Sequence, residues 1–205
     1  MEVKCIVVGS LEENCYILKS GKSLAVIDPG AEYEKILSEI KKSDARLEMI
    51  LLTHGHFDHI GAVSELAKES GAPVFVHQKD SVMLTDNSKN LSFMTGEIIK
   101  PHTPEKLLLG GEELKLGDLK IKVHYTPGHS EGCVCYECGD NLFGGDLLFK
   151  GSIGKFDRHN LQSHMNSLKY VMDNFDDSVK VYPGHGPFTT IGEERRENPY
   201  LINHI

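Results

Sequence analysis

The stretch Thr53-His54-Gly55-His56-Phe57-Asp58-His59 directly follows the apolar run at residues 49–52 and places three histidines and an aspartate within six positions. Imidazole and carboxylate groups are ligands of zinc, iron and manganese. His54 and His56 are two residues apart, so in an extended segment their side chains lie on the same face. Asp58 and His59 follow where a helix-like pattern begins. One short loop can therefore offer ligands to two adjacent metal sites.

Three downstream segments carry the same kinds of side chain in glycine-rich turns. They are TPGHS with His129, GGDLL with Asp146, and YPGHGP with His185. Each lies beside an apolar run typical of a strand, and ligands on loops at strand ends are a common way to build an active site. A solvated histidine-rich loop is the alternative interpretation. The matching partners favour a metal site over that alternative.

With THGHFDH, TPGHS, GGDLLF and PGHGP in this order, the chain resembles metallo-β-lactamase-fold hydrolases of the glyoxalase II-like (hydroxyacylglutathione hydrolase-like) branch. Further similar segments (NCYIL at 14–18, IDPG at 27–30 and GSIG at 151–154) extend the likeness over residues 14–201. The resemblance implies an α/β fold, a four-layer αββα sandwich, as one domain over residues 1–205. Glyoxalase II proper has a C-terminal helical extension that contacts glutathione, and we expect no such extension here.

The resemblance also implies a ligand set for two divalent metal ions. One metal is assigned to His54, His56 and His129, the other to Asp58, His59 and His185, and Asp146 bridges both. Zinc is the expected metal, with iron or manganese left open because their ligand preferences overlap. The implied reaction is hydrolysis of a hydroxyacylglutathione-like thioester by a hydroxide that bridges the metals. Asp58 would orient this hydroxide and accept its proton.

Residues around these ligands carry further expectations. Asp28 and Thr53 are candidates to hold the free ring nitrogens of the histidines, although Asp28 can equally cap the turn that follows it. Lys155 resembles the lysine of the Gly-Lys-Phe segment that holds a glutathione carboxylate in glyoxalase II, while an exposed, solvated lysine is the alternative. Arg158 and His159 would add positive charge beside it.

Composition excludes several classes of protein. The chain has 205 residues, 40% hydrophobic content and a net charge of −8, which suits a globular domain and disfavours a nucleic-acid partner. It has no apolar run of the ~20 residues that a membrane span needs, and its N-terminus lacks a signal-peptide pattern. We therefore expect a cytoplasmic protein, monomeric or homodimeric, with a small-molecule substrate and no nucleic-acid or membrane partner.

The five cysteines are expected to be reduced. Cys5 and Cys15 lie in apolar, strand-like runs and are predicted to be buried. Cys133, Cys135 and Cys138 form C-x-C-x-x-C, which raises the possibility of a zinc or iron–sulfur site. Strand-like alternation places Cys138 on the face opposite Cys133 and Cys135, so structural cysteines are the preferred interpretation.

Hydrophobic periodicity predicts helices over 33–41, 60–69 and 161–175 and strands over 4–8, 15–19, 24–27, 46–52, 73–76, 107–116, 119–124, 133–137, 141–143 and 179–182. Residues 77–100 show no clear pattern. The remaining histidines have no motif partners, and His164, within the last helix, is expected to be exposed or satisfied in the core. These other histidines are His77, His102, His124, His164 and His204.

Other functions remain possible at this stage. A persulfide dioxygenase would hold one iron with His54, His129 and Asp146, and the same bridging hydroxide would open a lactone. A secreted β-lactamase is disfavoured, since no export signal is visible and B1-type enzymes have a cysteine where this chain has Asp146. A non-catalytic metal-binding module is least favoured, because three ligands and a shared carboxylate leave each metal room for water.

Overall fold

Two six-stranded β-sheets form the centre of the structure, a computed structural model that describes residues 1–156 and 159–202. The first sheet has the strand order β1-β2-β3-β4-β5-β6, antiparallel as far as β3 and parallel from β3 to β6. Its strands are β1 (Glu2–Val8), β2 (Glu13–Ser20), β3 (Ser23–Ile27), β4 (Arg46–Leu51), β5 (Val74–His77) and β6 (Lys106–Leu108).

The second sheet has the order β14-β13-β10-β9-β8-β7, with β10 and β13 as its parallel pair. Its strands are β7 (Glu113–Leu116), β8 (Leu119–Tyr125), β9 (Val134–Cys138), β10 (Asn141–Gly145), β13 (Lys180–Pro183) and β14 (Thr189–Thr190). A separate two-stranded hairpin consists of β11 (Leu148–Phe149) and β12 (Ser152–Ile153).

Helices cover the outer face of each sheet. They are α1 (Tyr33–Lys42), α2 (Phe57–Ile60) and α3 (Val63–Ser70) on the first sheet, and α4 (Leu161–Asn174), α5 (Ile191–Glu197) and α6 (Pro199–Ile202) on the second. In β3, Val26 packs toward the helices and Ile27 toward the other sheet, as period-2 alternation requires. In β10, Leu142 faces the helices and Phe143 the other sheet. The expected four-layer αββα sandwich in one domain is confirmed.

Some element boundaries differ from the sequence predictions. The helix expected at 60–69 is interrupted between α2 and α3, because the Ala62 amide donates to the Pro29 carbonyl at 2.9 Å instead of continuing the helical hydrogen bonds. The strand expected at 107–116 is β6 and β7 in different sheets, separated at Gly110, whose φ is +96°. Residues 77–100 contain two short 3₁₀ turns, Ser81–Leu84 and Ser92–Met94. Sequence periodicity missed β11, β12, β14, α5 and α6, which are too short to show it.

Two side chains lie where the sequence did not place them. Cys5 was predicted to be buried but is exposed, since β1 is an edge strand whose alternation buries Ile6 and Val8 instead. His164 is fully buried on the face of α4 that also carries Leu168 and Val171. Its two ring nitrogens have no hydrogen-bond partner among the described residues, so the expectation of an exposed or satisfied imidazole was wrong.

The cysteines fit the structural interpretation. Cys135 packs in the core under α4, whereas Cys138 packs between the sheets. Cys133 is buried beside Ser130. All five thiols are free in the part of the chain that the structure describes. Within the same part, every helix is too short or too polar to cross a bilayer.

Candidate metal centre

The candidate ligands of the sequence meet at one edge of the two sheets. His54, His56, Asp58 and His59 follow β4, while His129, Asp146 and His185 follow β8, β10 and β13. Because β3 and β4 are parallel, as are β10 and β13, the carboxyl ends of these strands open at a common edge, where α/β folds build their sites.

His54, His56 and His129 form a first triad. Their ligand atoms lie within 4.8 Å of one another, and His56 Nδ1 is 2.8 Å from His129 Nε2. Burial and the neighbouring imidazoles hold the pKa of His54 well below its usual value. Burial and His129 lower the pKa of His56 to about 3. Both rings are therefore neutral at physiological pH, which is the form that binds a metal.

Asp58, His59 and His185 form a second triad, also with ligand atoms within 4.8 Å of one another. Asp58 Oδ2 lies 3.2 Å from His185 Nε2. Burial raises the pKa of Asp58, but the hydrogen bond from His185 and the charge of His59 outweigh it, and the net shift is downward. Asp58 is therefore a carboxylate at neutral pH.

Asp146 lies between the two triads. Its Oδ1 is 3.4 Å from His59 Nε2 in the second triad, and its Oδ2 is 3.4 Å from His129 Nε2 in the first. The same Oδ2 is 3.7 Å from His185 Nε2. Gly184 permits this approach, because a Cβ there would be 2.3 Å from Asp146 Oδ1. One carboxylate therefore faces both groups of ligands.

The donor set fits metal ions. Among the described residues, His54 Nε2, His59 Nε2 and Asp146 Oδ1 are buried without a hydrogen-bond partner. Unpaired buried polar atoms are costly and therefore rare. These three belong to the two triads and the carboxylate between them. Nitrogen and carboxylate oxygen donors with free lone pairs suit zinc or iron.

Asp28 and Thr53 hold two of these imidazoles from behind. Asp28 Oδ2 is 3.0 Å from His59 Nδ1 and accepts a 2.5 Å hydrogen bond from the Thr53 hydroxyl, while Oδ1 accepts one of 2.7 Å from the Thr53 amide. The Thr53 hydroxyl is also 3.1 Å from His54 Nδ1. Asp28 has a left-handed φ of +50°, a conformation that clusters at functional sites.

Backbone carbonyls orient two further rings. His129 Nδ1 is 2.6 Å from the Lys155 carbonyl oxygen, and His185 Nδ1 is 3.0 Å from the Leu11 carbonyl oxygen. We assign the ring proton to Nδ1 in both, because a carbonyl only accepts. Nε2 of His129 is then left with a lone pair on the side of Asp146, whereas Nε2 of His185 faces the Asp58 carboxylate at 3.2 Å.

Sequence reasoning missed two buried acids at this centre. Glu13 is 1% exposed, its Oε1 is 3.8 Å from His59 Nδ1, and neither of its oxygens has a hydrogen-bond partner in the described chain. Asp80 is also 1% exposed and accepts hydrogen bonds from the loops of the first triad. Neither residue belongs to a recognisable motif, so only the folded structure identifies them.

Only two of the three candidate substrate-binding residues, Lys155 and His159, lie among the described residues. The side chain of Lys155 is exposed, and its backbone carbonyl is the group that contacts His129. His159 is exposed as well. Arg158 lies outside the described residues. A role for these three residues in binding substrate stays a prediction.

Comparison with known proteins places the chain among hydrolases. Residues 8–192 match the model of the metallo-beta-lactamase superfamily. A probable metallo-hydrolase of Bacillus subtilis, YqgX, is 37% identical over 95% of this chain and 94% of its own length. The hydroxyacylglutathione hydrolase GloC of Haemophilus influenzae is 31% identical over 98% of both chains.

Solved structures agree with this placement. The B3 metallo-beta-lactamase BLEG-1 superposes with a TM-score of 0.92 at 35% identity, over 98% of this chain and 99% of its own. TTHA1623 in a di-iron-bound form gives a TM-score of 0.86 at 36% identity, over 97% and 100%. The chain therefore belongs to the metallo-beta-lactamase superfamily of metal-dependent hydrolases.

Proposed function

We propose that this superfamily member is a thioesterase that hydrolyses hydroxyacylglutathione-like substrates with two metal ions. The observation that carries the proposal is Asp146, whose Oδ1 lies nearest the second triad and whose Oδ2 lies nearest the first, beside buried nitrogens that lack partners among the described residues. The hydroxyacylglutathione hydrolase of Haemophilus influenzae, similar along its whole length, supports the substrate class. The di-iron-bound relative supports a dinuclear centre.

Under this proposal each triad holds one divalent cation, with Asp146 shared between them. Such cations lower the pKa of a bound water to near 7 and so supply a hydroxide at neutral pH. The neutral imidazoles of His54 and His56 leave their lone pairs for the metal, and Asp28 and Thr53 fix the orientation of His54 and His59. Zinc is the proposed metal, with iron or manganese as the alternatives to be measured.

Asp58 is the proposed proton acceptor. It belongs to the second triad, is ionised at neutral pH, and its side chain is 14% exposed, so it faces the open side of the centre. A carboxylate in that place can orient the attacking water and take up its proton. The thiolate of the substrate then leaves without help from a protein nucleophile.

The cysteines do not compete for the nucleophilic role. Cys133 and Cys135 are buried, and burial raises the pKa of Cys135 to about 12 and that of Cys133 well above its usual value. A protonated, buried thiol is unreactive. The proposed reaction therefore depends on water, oriented by Asp58.

Lys155, Arg158 and His159 are proposed to recognise a carboxylate of the substrate. Lys155 is exposed on the segment whose carbonyl contacts His129, so its ammonium group can reach a ligand at the rim of the metal centre. We also propose that the enzyme is cytoplasmic, as a monomer or homodimer acting on small molecules. Its five free cysteines suit a reducing compartment.

β-Lactam hydrolysis is a second candidate, favoured by the close structural likeness to a B3 metallo-beta-lactamase. A substrate panel separates the candidates: a hydroxyacylglutathione thioester, a chromogenic cephalosporin, a lactone, and glutathione persulfide with oxygen uptake followed. Each substrate is tested with protein loaded with zinc, iron or manganese. Metal-dependent turnover that is fastest with the thioester supports the proposal.

Asp146→Asn is the inactive reference for this panel, and Asp173→Asn, an exposed change on α4, is its control. Oxygen uptake with iron alone, or turnover of the cephalosporin only, would reject thioester hydrolysis. Equal activity in Asp146→Asn and the wild type would reject the metal centre itself.

A further inference from the structure

The Asp80 carboxylate makes a set of hydrogen bonds that the proposed reaction does not use. It is 1% exposed. Its Oδ2 accepts from the Gly55 amide at 3.1 Å and from the Ser130 hydroxyl at 2.5 Å, and its Oδ1 accepts from the Gly132 amide at 2.7 Å. Three donors on one buried carboxylate compensate for its loss of hydration.

The three donors come from the two loops that carry the first triad. Gly55 lies between His54 and His56, whereas Ser130 and Gly132 lie one and three positions after His129. Asp80 therefore ties the loop after β4 in the first sheet to the loop after β8 in the second. Apart from this carboxylate, the Thr53 carbonyl, which accepts from the Val134 amide at 2.9 Å, also links these two regions.

The backbone around Asp80 is itself fixed. Asp80 follows β5, the neighbour of β4, and its amide donates to the His77 carbonyl at 2.9 Å. Its own carbonyl accepts from the Met83 amide at 2.9 Å. Gly132 leaves just enough room for the carboxylate, since a Cβ there would lie 2.5 Å from Asp80 Oδ1. A residue held this firmly can impose its geometry on the loops it contacts.

We infer that Asp80 is a positioning residue that sets the separation between the His54–His56 pair and His129, and with it the metal affinity of the first triad. The inference rests on the proposed function, because it takes the first triad to be a metal site. Asp80 faces the Gly55 and Gly132 amides and the Ser130 hydroxyl rather than the metal ligands, so it acts through the loops. Partners of this kind typically change metal affinity by about 10- to 100-fold.

The test is metal binding by Asp80→Asn, which keeps the size of the side chain. An amide nitrogen in place of one oxygen faces an N–H group that needs an acceptor, so part of the tie between the loops is lost. Metal-depleted protein is titrated with Co²⁺ against a chromogenic chelator, and the visible absorption of the bound Co²⁺ is recorded. We expect one of two equivalents to bind at least about tenfold more weakly, with a changed spectrum.

Glu194→Gln is the matched control. Glu194 is also 1% exposed and accepts from three groups, Gly151 N, Thr189 Oγ1 and Asn198 Nδ2, none of which belongs to the metal centre. This variant loses a comparable buried carboxylate and with it some stability. Its Co²⁺ affinity and spectrum should stay within about twofold of the wild type.

If Asp80→Asn does not fold, Ser130→Ala tests the same inference, because it removes only the 2.5 Å hydrogen bond from the Ser130 hydroxyl to Asp80. A several-fold weaker first site in this variant supports the inference. Wild-type affinity and spectrum in Asp80→Asn, or in Ser130→Ala where the former is unfolded, would show that Asp80 contributes stability alone. A wild-type protein that binds no Co²⁺ would instead refute the proposed metal centre, which separates that failure from this one.

Discussion

Replacement of His164 by leucine should make the protein more resistant to acid. His164 is fully buried on α4, and its ring nitrogens lack hydrogen-bond partners among the described residues. Burial and the charge of His129 lower its pKa from 6.5 to about 4. The nearby Leu147 backbone opposes this shift in part.

The direction in which stability changes with pH follows from the number of protons that the folded and the unfolded chain bind. Between pH 6.5 and pH 4 the unfolded chain protonates His164 and the folded chain does not, so the free energy of unfolding falls as the pH falls. With those two pKa values, the loss between pH 8 and pH 5 is ~2 kcal/mol, and it approaches ~3 kcal/mol below pH 4. Leucine has no proton to bind, so His164→Leu should not suffer this part of the loss.

The measurement is urea unfolding of metal-depleted wild type and His164→Leu at pH 8 and pH 5. At pH 8 the variants should differ by less than about 1.5 kcal/mol, as expected for a swap that conserves volume. Their difference should shift by ~2 kcal/mol in favour of leucine at pH 5. Met165→Leu, the adjacent residue on α4, is the control and should show no such shift. If both His164→Leu and the wild type lose the same stability between the two pH values, the burial argument is wrong.

Four further outcomes are expected from the same structure. Asp146→Asn should lose about 100-fold or more in metal affinity and in thioester turnover, checked by metal analysis after dialysis; full retention of both equivalents would contradict the bridging position. Thr53→Val should bind zinc about 10- to 100-fold more weakly because the hydroxyl that contacts Asp28 is gone, whereas Thr53→Ser should bind like the wild type; equal loss in both would point to packing instead. Tyr136→Phe should destabilise the fold by ~1–3 kcal/mol in urea, since the buried Tyr136 hydroxyl donates to the Leu52 carbonyl at 2.7 Å. Removing the metal should lower the melting temperature, because ligand at 100 times its Kd contributes ~2.7 kcal/mol, and a chelator-insensitive transition would argue against tight binding.

Much of the fold could be predicted from the sequence because its long elements have clear periodicity. Helix α4 and strands such as β3 and β8 repeat apolar residues at the spacing of their buried faces, and the structure places them within one or two residues of the predictions. Prediction failed where a tertiary contact decides the backbone. Helix α2 ends at Ile60, and the Ala62 amide donates to the carbonyl of Pro29, thirty-three positions earlier in the chain; no local sequence pattern indicates such a contact.

The candidate site likewise contains residues that the sequence indicates and residues that only the folded structure identifies. The triads and Asp146 are contained in short, dense motifs, so the sequence indicates their positions even though it cannot measure their separations. Asp80 and Glu13 are isolated acids whose burial results from packing between distant segments. His164 has helical spacing with Leu168 and Val171, but an imidazole is polar, so hydrophobic periodicity alone does not mark it as buried.

Charge balance supports a pair of cations in this centre rather than one. Four acids are packed around the ligand histidines: Glu13 and Asp28 are 1% and 2% exposed and Asp146 is 9% exposed, while the side chain of Asp58 is 14% exposed. Burying like charges together is strongly unfavourable unless an opposite charge compensates. Salt bridges to lysine or arginine are found elsewhere in the described residues, but none reaches these four acids. Burial raises the pKa of Glu13 well above its usual value, so Glu13 favours its neutral form and three carboxylates remain. Two divalent cations with one bound hydroxide would carry three positive charges, which equals the charge of these three carboxylates, whereas a single cation would leave one carboxylate uncompensated.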